Sequence, residues 1–176
     1  MTKVSDRLNR LAESATLAMA RMSRELQAKG IDVIALSLGE PDFDTPEFIK
    51  EAAKKAIDDN FSHYTPVPGL PELRSAIVQK FKRDNDLEFT ADQIVTSTGA
   101  KQSLANLCLS LLNPLDEVLL PCPYWVSYTE LVKLAEGVPV EVPSTIDSDF
   151  KVTPEQLEAA ITPKTKLLMF SSPCNP

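Results

Sequence analysis

The chain has 176 residues, 43% of them apolar, enough to bury one core and at most an appendage. A formal charge of −7 with no basic stripe argues against a nucleic-acid partner and for a solvated acidic surface. No long apolar run and no charged-then-apolar leader occur, so the expectation is a soluble, cytoplasmic chain with no membrane contact. Cys108, Cys122 and Cys174 lack CxxC spacing and are too few for a disulfide framework. His63 is the lone histidine, which excludes a histidine metal cluster, and no Gly-x-Ser-x-Gly elbow supports hydrolase chemistry.

In chain order, residues 1–30 read as one helical arm stopped by Gly30, and Ile31–Leu38 as a short β-rich segment. The loop Gly39–Pro46 feeds a helix over Glu47–Asp59, with Thr45 as N-cap and Pro46 at the first helical position. Phe48, Ile49, Ala52, Ala53, Ala56 and Ile57 are expected to form its buried face. An extended, proline-bounded loop from Ser62 to Gly69 precedes a helix from Pro71 to about Asn85, and Thr90–Gln93 is a short helical turn.

Ile94–Thr98 is a β-branched run that breaks at Gly99 into a helix with an apolar stripe at Leu104, Leu107, Cys108 and Leu111. A strand that turns at glycine into a helix start leaves several N–H groups aimed at one point. The helix dipole adds partial positive charge there, which suits a phosphate or carboxylate. An ordinary βα turn has the same appearance. Neither a Gly-x-Gly-x-x-Gly nor a Gly-x-x-x-x-Gly-Lys-Ser/Thr pattern surrounds it.

After Asn113-Pro114 the pattern becomes β-α-β-α-β: a strand at Glu117–Leu120, a helix at Trp125–Ala135 and a strand at Val138–Val142. A helix with a Thr153/Gln156 capping box follows, then a strand at Lys166–Phe170. This alternation predicts an α/β fold with a mostly parallel sheet covered by helices. Ligands of such sheets sit beyond the carboxyl ends of the strands, so the loops at Thr98–Lys101, Pro121–Trp125 and Ser171–Pro176 are candidate rim segments.

Five motifs occur in order: Gly39-Glu-Pro-Asp-Phe-Asp-Thr-Pro46; Tyr64 followed by Gly69-Leu-Pro-Glu-Leu-Arg74; Thr98-Gly-Ala-Lys-Gln102; Pro123-Tyr-Trp-Val-Ser-Tyr128; and Ser172-Pro-Cys-Asn-Pro176. Together they resemble the class I pyridoxal-phosphate aminotransferases, in the bacterial aspartate aminotransferase branch, across essentially the whole chain. The resemblance implies a fold type I enzyme with pyridoxal 5′-phosphate as cofactor. Residues 1–46 would be an N-terminal arm and small-domain segment, and 47–176 the first part of the large cofactor-binding domain.

It implies that Gly99, Ala100 and Lys101 hold the cofactor phosphate, that Trp125 stacks on the pyridine ring and that Asn175 bonds its phenolic oxygen. Gly39 would offer its N–H to the substrate carboxylate, with Trp125 and Asn175 also facing substrate. Tyr64 would reach the phosphate in the neighbouring subunit of a homodimer with shared active sites. Arg74 and Glu40 are expected in structural ion pairs or caps, and Cys122-Pro123 and Asn175-Pro176 as cis bonds.

Members of that family continue past Asn-Pro to an aspartate under the pyridine nitrogen, a Schiff-base lysine and a carboxylate-binding arginine. None of this chain's lysines matches that slot. The resemblance therefore implies the N-terminal part of a longer enzyme, incomplete at the C-terminus and without a catalytic residue of its own, so that 176 residues alone are expected to be inactive. The substrates implied are an amino acid, aspartate favoured, and a 2-oxo acid such as 2-oxoglutarate. Alternatives are aromatic or prephenate transamination, a lyase of the same fold, or a phosphate-binding module without chemistry. No metal is expected.

Overall fold

The computed structural model describes residues 4–36 and 39–175. The chain divides into two compact units, Met1–Glu40 with Leu104–Pro176, and Pro41–Ser103.

The first unit is built on a parallel three-stranded sheet: β1 (Glu117–Pro121), β2 (Val138–Val142) and β3 (Thr165–Leu168), in the order β2-β1-β3. The central strand carries the apolar run Val118-Leu119-Leu120, each residue at most 2% exposed, as expected of a strand covered on both faces. Pairing to β2 is regular from Glu117↔Val138 to Pro121↔Val142; pairing to β3 has an irregularity between Glu117 and Val118. The Met169 N–H continues the ladder to Leu119 O at 3.0 Å, after which exposed Phe170 leaves the sheet. The last strand thus starts at Thr165 and stops short of the expected Phe170.

Seven α-helices lie among the described residues: α1 (Asp6–Asn9), α2 (Ala15–Ala28), α3 (Glu47–Asp58), α4 (Pro71–Asn85), α5 (Ala100–Leu111), α6 (Ser127–Leu134) and α7 (Pro154–Ala160). α6 is the crossover between β1 and β2, and its Tyr128, Leu131 and Val132 join Cys108, Leu112, Val118, Leu120, Ala135 and Met169 in one core. The buried stripe of α5 is Leu104, Ala105 and Cys108, leading to Leu112; Leu107 and Leu111 are exposed, which corrects the expected stripe by a fraction of a turn.

The expected single arm is two helices. Ser5 and Ser14 each cap a separate start, accepting from the N–H of Leu8 and Leu17 at 3.4 Å. Between them the backbone is tied elsewhere: the Ala12 N–H donates to Glu130 at 2.8 Å and the Arg10 guanidinium to Glu136 at 2.9 Å, both acceptors on or just after α6. Residues 31–36 carry no strand, and positions 37 and 38 of the expected β-rich segment lie outside the described residues.

In the second unit α3 starts at Glu47 as expected, but its N-cap is Pro46 rather than Thr45, in an extended conformation and with no side-chain cap bond. None of its residues is buried; Phe48 and Ile57 are 74% and 76% exposed, so the amphipathic face anticipated as core faces outward here. The run Ile94–Thr98 is not a strand either. Its groups are spent locally: the Thr96 N–H donates to Pro68 O at 3.0 Å, and the Arg74 Nε–H to Ile94 O at 3.0 Å. The Thr90 turn forms a 3-10 segment, Ala91–Gln93, with the capping box its Thr and Gln suggest.

Candidate functional site

The Thr98–Lys101 turn leads into helix α5, as the sequence suggests, but no strand precedes it. Gly99 sits at φ +85°, where a side chain is rarely tolerated, and no atom lies within 4 Å of where its Cβ would be. The turn then enters the twelve-residue helix α5, so the dipole of a full helix points at it. Two of the donors nearby are internally satisfied: the Thr98 N–H donates to the Gln102 side chain and the Gly99 N–H to Ser97 O at 2.9 Å. The Ala100 N–H has no hydrogen-bond partner among the described residues and is the donor the turn leaves for a ligand.

A second group of predicted residues lies in the first unit, on the loops that follow β1 and β3. Trp125 precedes α6 rather than starting it, correcting the helix expected from Trp125. The indole is half-buried and meets the buried Tyr128 ring edge-on at 5.6 Å, and the Trp125 backbone carbonyl accepts the Tyr128 N–H at 2.9 Å. Next to it Tyr124 ties the loop to the sheet. Its hydroxyl lies 2.7 Å from Thr129 Oγ1 and donates to Glu141 Oε1 at 2.5 Å, and its ring stacks on Tyr128 at 6.4 Å. Burial, helped by the Glu141 hydrogen bond, pushes the Tyr124 phenol above its usual range. The Cys122–Pro123 bond is cis as expected, and Ser144 Oγ donates to the Cys122 carbonyl.

Asn175 is exposed in the loop after β3. The Asn175–Pro176 bond lies outside the described residues, whereas Ser172–Pro173, which the motif did not single out, is cis. Between the two loops and residues 149–152 runs a cleft of about 530 Å³, lined by Pro121–Tyr124 on one side and Phe170–Cys174 on the other. Neither Trp125 nor Asn175 lines it. Ser171 does, and its hydroxyl is buried with no hydrogen-bond partner among the described residues.

Gly39 lies in irregular, exposed chain, and Tyr64 is fully exposed beside a shallow depression with Phe61, His63 and Leu70. Arg74 is structural, as expected: it serves Ile94 and Ala91 carbonyls and pairs with Asp92 at 3.2 Å. Glu40 is exposed and makes no ion pair among the described residues. Sequence reading missed Tyr124–Glu141, whose partners are 17 residues apart, and Ser171, because a serine after a strand carries no signal of being left without a partner. No group of three or more His, Cys, Asp or Glu among the described residues could hold a metal, and no helix there is long and apolar enough to cross a membrane.

The family model for aminotransferase class I and II matches residues 31–176. The chain belongs to the class I and II aminotransferases. It is similar to the aspartate/prephenate aminotransferase of Cereibacter sphaeroides, 54% identical over all 176 residues, and to that of Nitrosomonas europaea, 48% identical over 174. Among solved structures it superposes on the aspartate aminotransferase of Thermus thermophilus with maleate, at TM-score 0.95 and 45% identity over the whole chain. The aspartate aminotransferase of Rhizobium meliloti gives TM-score 0.95 at 43% identity, again over the whole chain. The chain spans 44% of the length of those two curated relatives, and 46% and 44% of the two solved chains.

Aminotransferases of this kind work with pyridoxal 5′-phosphate, and residues within each unit, taken by itself, suit a part of that group. Gly99 leaves open space at a helix start where a phosphate oxygen can approach the Ala100 N–H. Trp125 supplies a wide aromatic surface held by Tyr128, and Ser171 an unused hydroxyl.

Proposed function

We propose that this chain is the cofactor-anchoring part of an aminotransferase that moves an amino group from aspartate to a 2-oxo acid. The observation that carries the reading is the Trp125 loop: an indole set against Tyr128, in a loop that Tyr124 ties to Glu141, at the carboxyl end of the central strand of a parallel sheet, in a chain of this family. Gly99, Ala100 and Lys101 hold the cofactor phosphate: Gly99 leaves it space, the Ala100 N–H donates to it and the first-turn lysine adds charge. Trp125 covers one face of the pyridine ring and keeps water from it. The Asn175 amide donates to the ring's phenolic oxygen and favours its ionised form.

Gly39 offers its N–H to the substrate carboxylate, the missing Cβ permitting close approach. Tyr64, from a fully exposed loop, serves the phosphate of a second copy in a homodimer. The exposed apolar face of α3 supports that pairing, because a surface of this kind is stable when covered. When bound, pyridoxal 5′-phosphate supplies the electron sink that stabilises negative charge on the amino acid's α-carbon. Residues 1–46 are read as arm and small-domain segment and 47–176 as the first part of the cofactor domain. Aspartate is read as the donor, with 2-oxoglutarate or prephenate as acceptor; the relatives' names carry both aspartate and prephenate.

Trp125 is the sole tryptophan, so its emission reports directly on the proposed site. Titrating the chain with pyridoxal 5′-phosphate is expected to quench that emission saturably, with competition from inorganic phosphate. Asn175→Ala should shift the midpoint to higher concentration by about 1–2 kcal/mol, the worth of one hydrogen bond to a charged oxygen. Emission that falls only linearly, as by collision, overturns the reading. In the whole protein, glutamate formed from aspartate and 2-oxoglutarate separates amino transfer from a lyase.

A further inference from the structure

Two of the three cysteines have no part in the roles above, and they lie together. Cys122 follows β1 and Cys174 lies in the loop after β3, the strand paired with β1. Both are free thiols and both line the same cleft. The Cys174 Sγ is 3.5 Å from the carbonyl oxygen of Pro123, the residue bonded to Cys122. The Cys122 Sγ, half-buried, lies 3.7 Å from Leu120 O. A disulfide requires Cα atoms within about 7 Å of each other, and the Cys174 sulfur touches the peptide carbonyl one residue beyond Cys122. Cys108 is wholly buried in the core and takes no part.

We infer that Cys122 and Cys174 form an oxidisable pair, which a peroxide converts to an intramolecular disulfide joining the loops after β1 and β3. Cys174, exposed, reacts first: its thiolate attacks a peroxide oxygen, the O–O bond breaks, and Cys174 sulfenic acid and hydroxide result. The Cys122 thiolate then attacks that sulfur, the S–S bond forms, and the S–O bond breaks with loss of hydroxide. Two thiols lose two electrons and two protons, and one hydrogen peroxide becomes two waters. The order follows from the surroundings. Burial and the charge of Glu141 push the Cys122 thiol above its usual range, which makes it the poorer first nucleophile and the resolving partner.

The pair does not depend on the cofactor reading. Its expected effect on the fold is local: Cys122, three residues before Trp125, becomes covalently fixed to the residue just before Asn175.

The full chain, treated with hydrogen peroxide, is expected to fall from three titratable thiols to one without dimerising, with a mass loss of two hydrogens. Digestion with trypsin and a glutamyl endopeptidase, which separates Cys108 from Cys122 at Glu117, should yield a Cys122–Cys174 linked peptide. Cys108→Ser should keep the linkage, whereas Cys122→Ser and Cys174→Ser should each lose it. Over-oxidation of Cys174 to sulfinic acid with Cys122 still free, a linkage through Cys108, or a linkage only between two chains overturns the inference.

Discussion

Gly69 and Gly99 are both left-handed, at φ +104° and +85°, yet they have opposite surroundings. A Cβ at Gly69 would stand 2.1 Å from Thr96 Oγ1, at the contact that fixes the Pro66–Leu70 loop on the Ile94–Ser97 segment. At Gly99 it would meet nothing. Gly69→Ala is therefore expected to cost about 1–3 kcal/mol for overpacking on top of backbone strain, and Gly99→Ala about 1 kcal/mol for strain alone. Urea unfolding of both variants checks the order; equal costs would contradict it. At this scale the sequence carried the glycine turn at Gly99 and the expectation that Arg74 is structural, but not the need for glycine at position 69. It did not show which donors of the phosphate turn remain unused. That depends on the Gln102 side chain folding back to the Thr98 N–H and on the Ser97 backbone carbonyl taking the Gly99 N–H.

Among the elements, helices with their own caps were legible. Thr153 and Gln156 form the reciprocal box their spacing suggests: the Gln156 N–H donates to Thr153 Oγ1 at 3.3 Å, and the Thr153 N–H to Gln156 Oε1 at 2.8 Å. Thr153→Ala is expected to destabilise the chain by about 1 kcal/mol, and Thr153→Ser to restore most of it, both read from thermal or urea midpoints. Elements defined by a distant partner were less legible. Ile94–Thr98 has β-branched residues, but a strand exists only where another edge takes its hydrogen bonds, and here Pro68 and Arg74 take them. The arm splits at Ser14 because Glu130 and Glu136, more than a hundred residues away, bind the backbone and arginine between α1 and α2.

For the molecule as a whole, the parallel β2-β1-β3 sheet with helical crossovers was anticipated from the alternation of elements, and the likeness to the Thermus and Rhizobium structures agrees with it. The outward apolar face of α3 is the largest departure. Substituting Phe48 and Ile57 with lysine together is expected to leave the helical circular dichroism intact and to lower the mass found by sedimentation toward one chain. An unchanged mass would mean that a second copy does not cover this face. By itself the sequence determined the alternation of strands and helices from Glu117 onward, the Thr153 capping box and the central strand, because periodicity, turn residues and caps act within a few positions. It also carried the five motifs that point to the family. Only the tertiary structure decided which face of each helix is buried and whether a β-branched run becomes a strand. It also decided that Trp125 stays in a loop braced by Tyr124, Tyr128 and Glu141, and that two cysteines half a chain-core apart in sequence share one cleft. Each of these depends on which partner reaches a group first in space, and sequence separation does not report that.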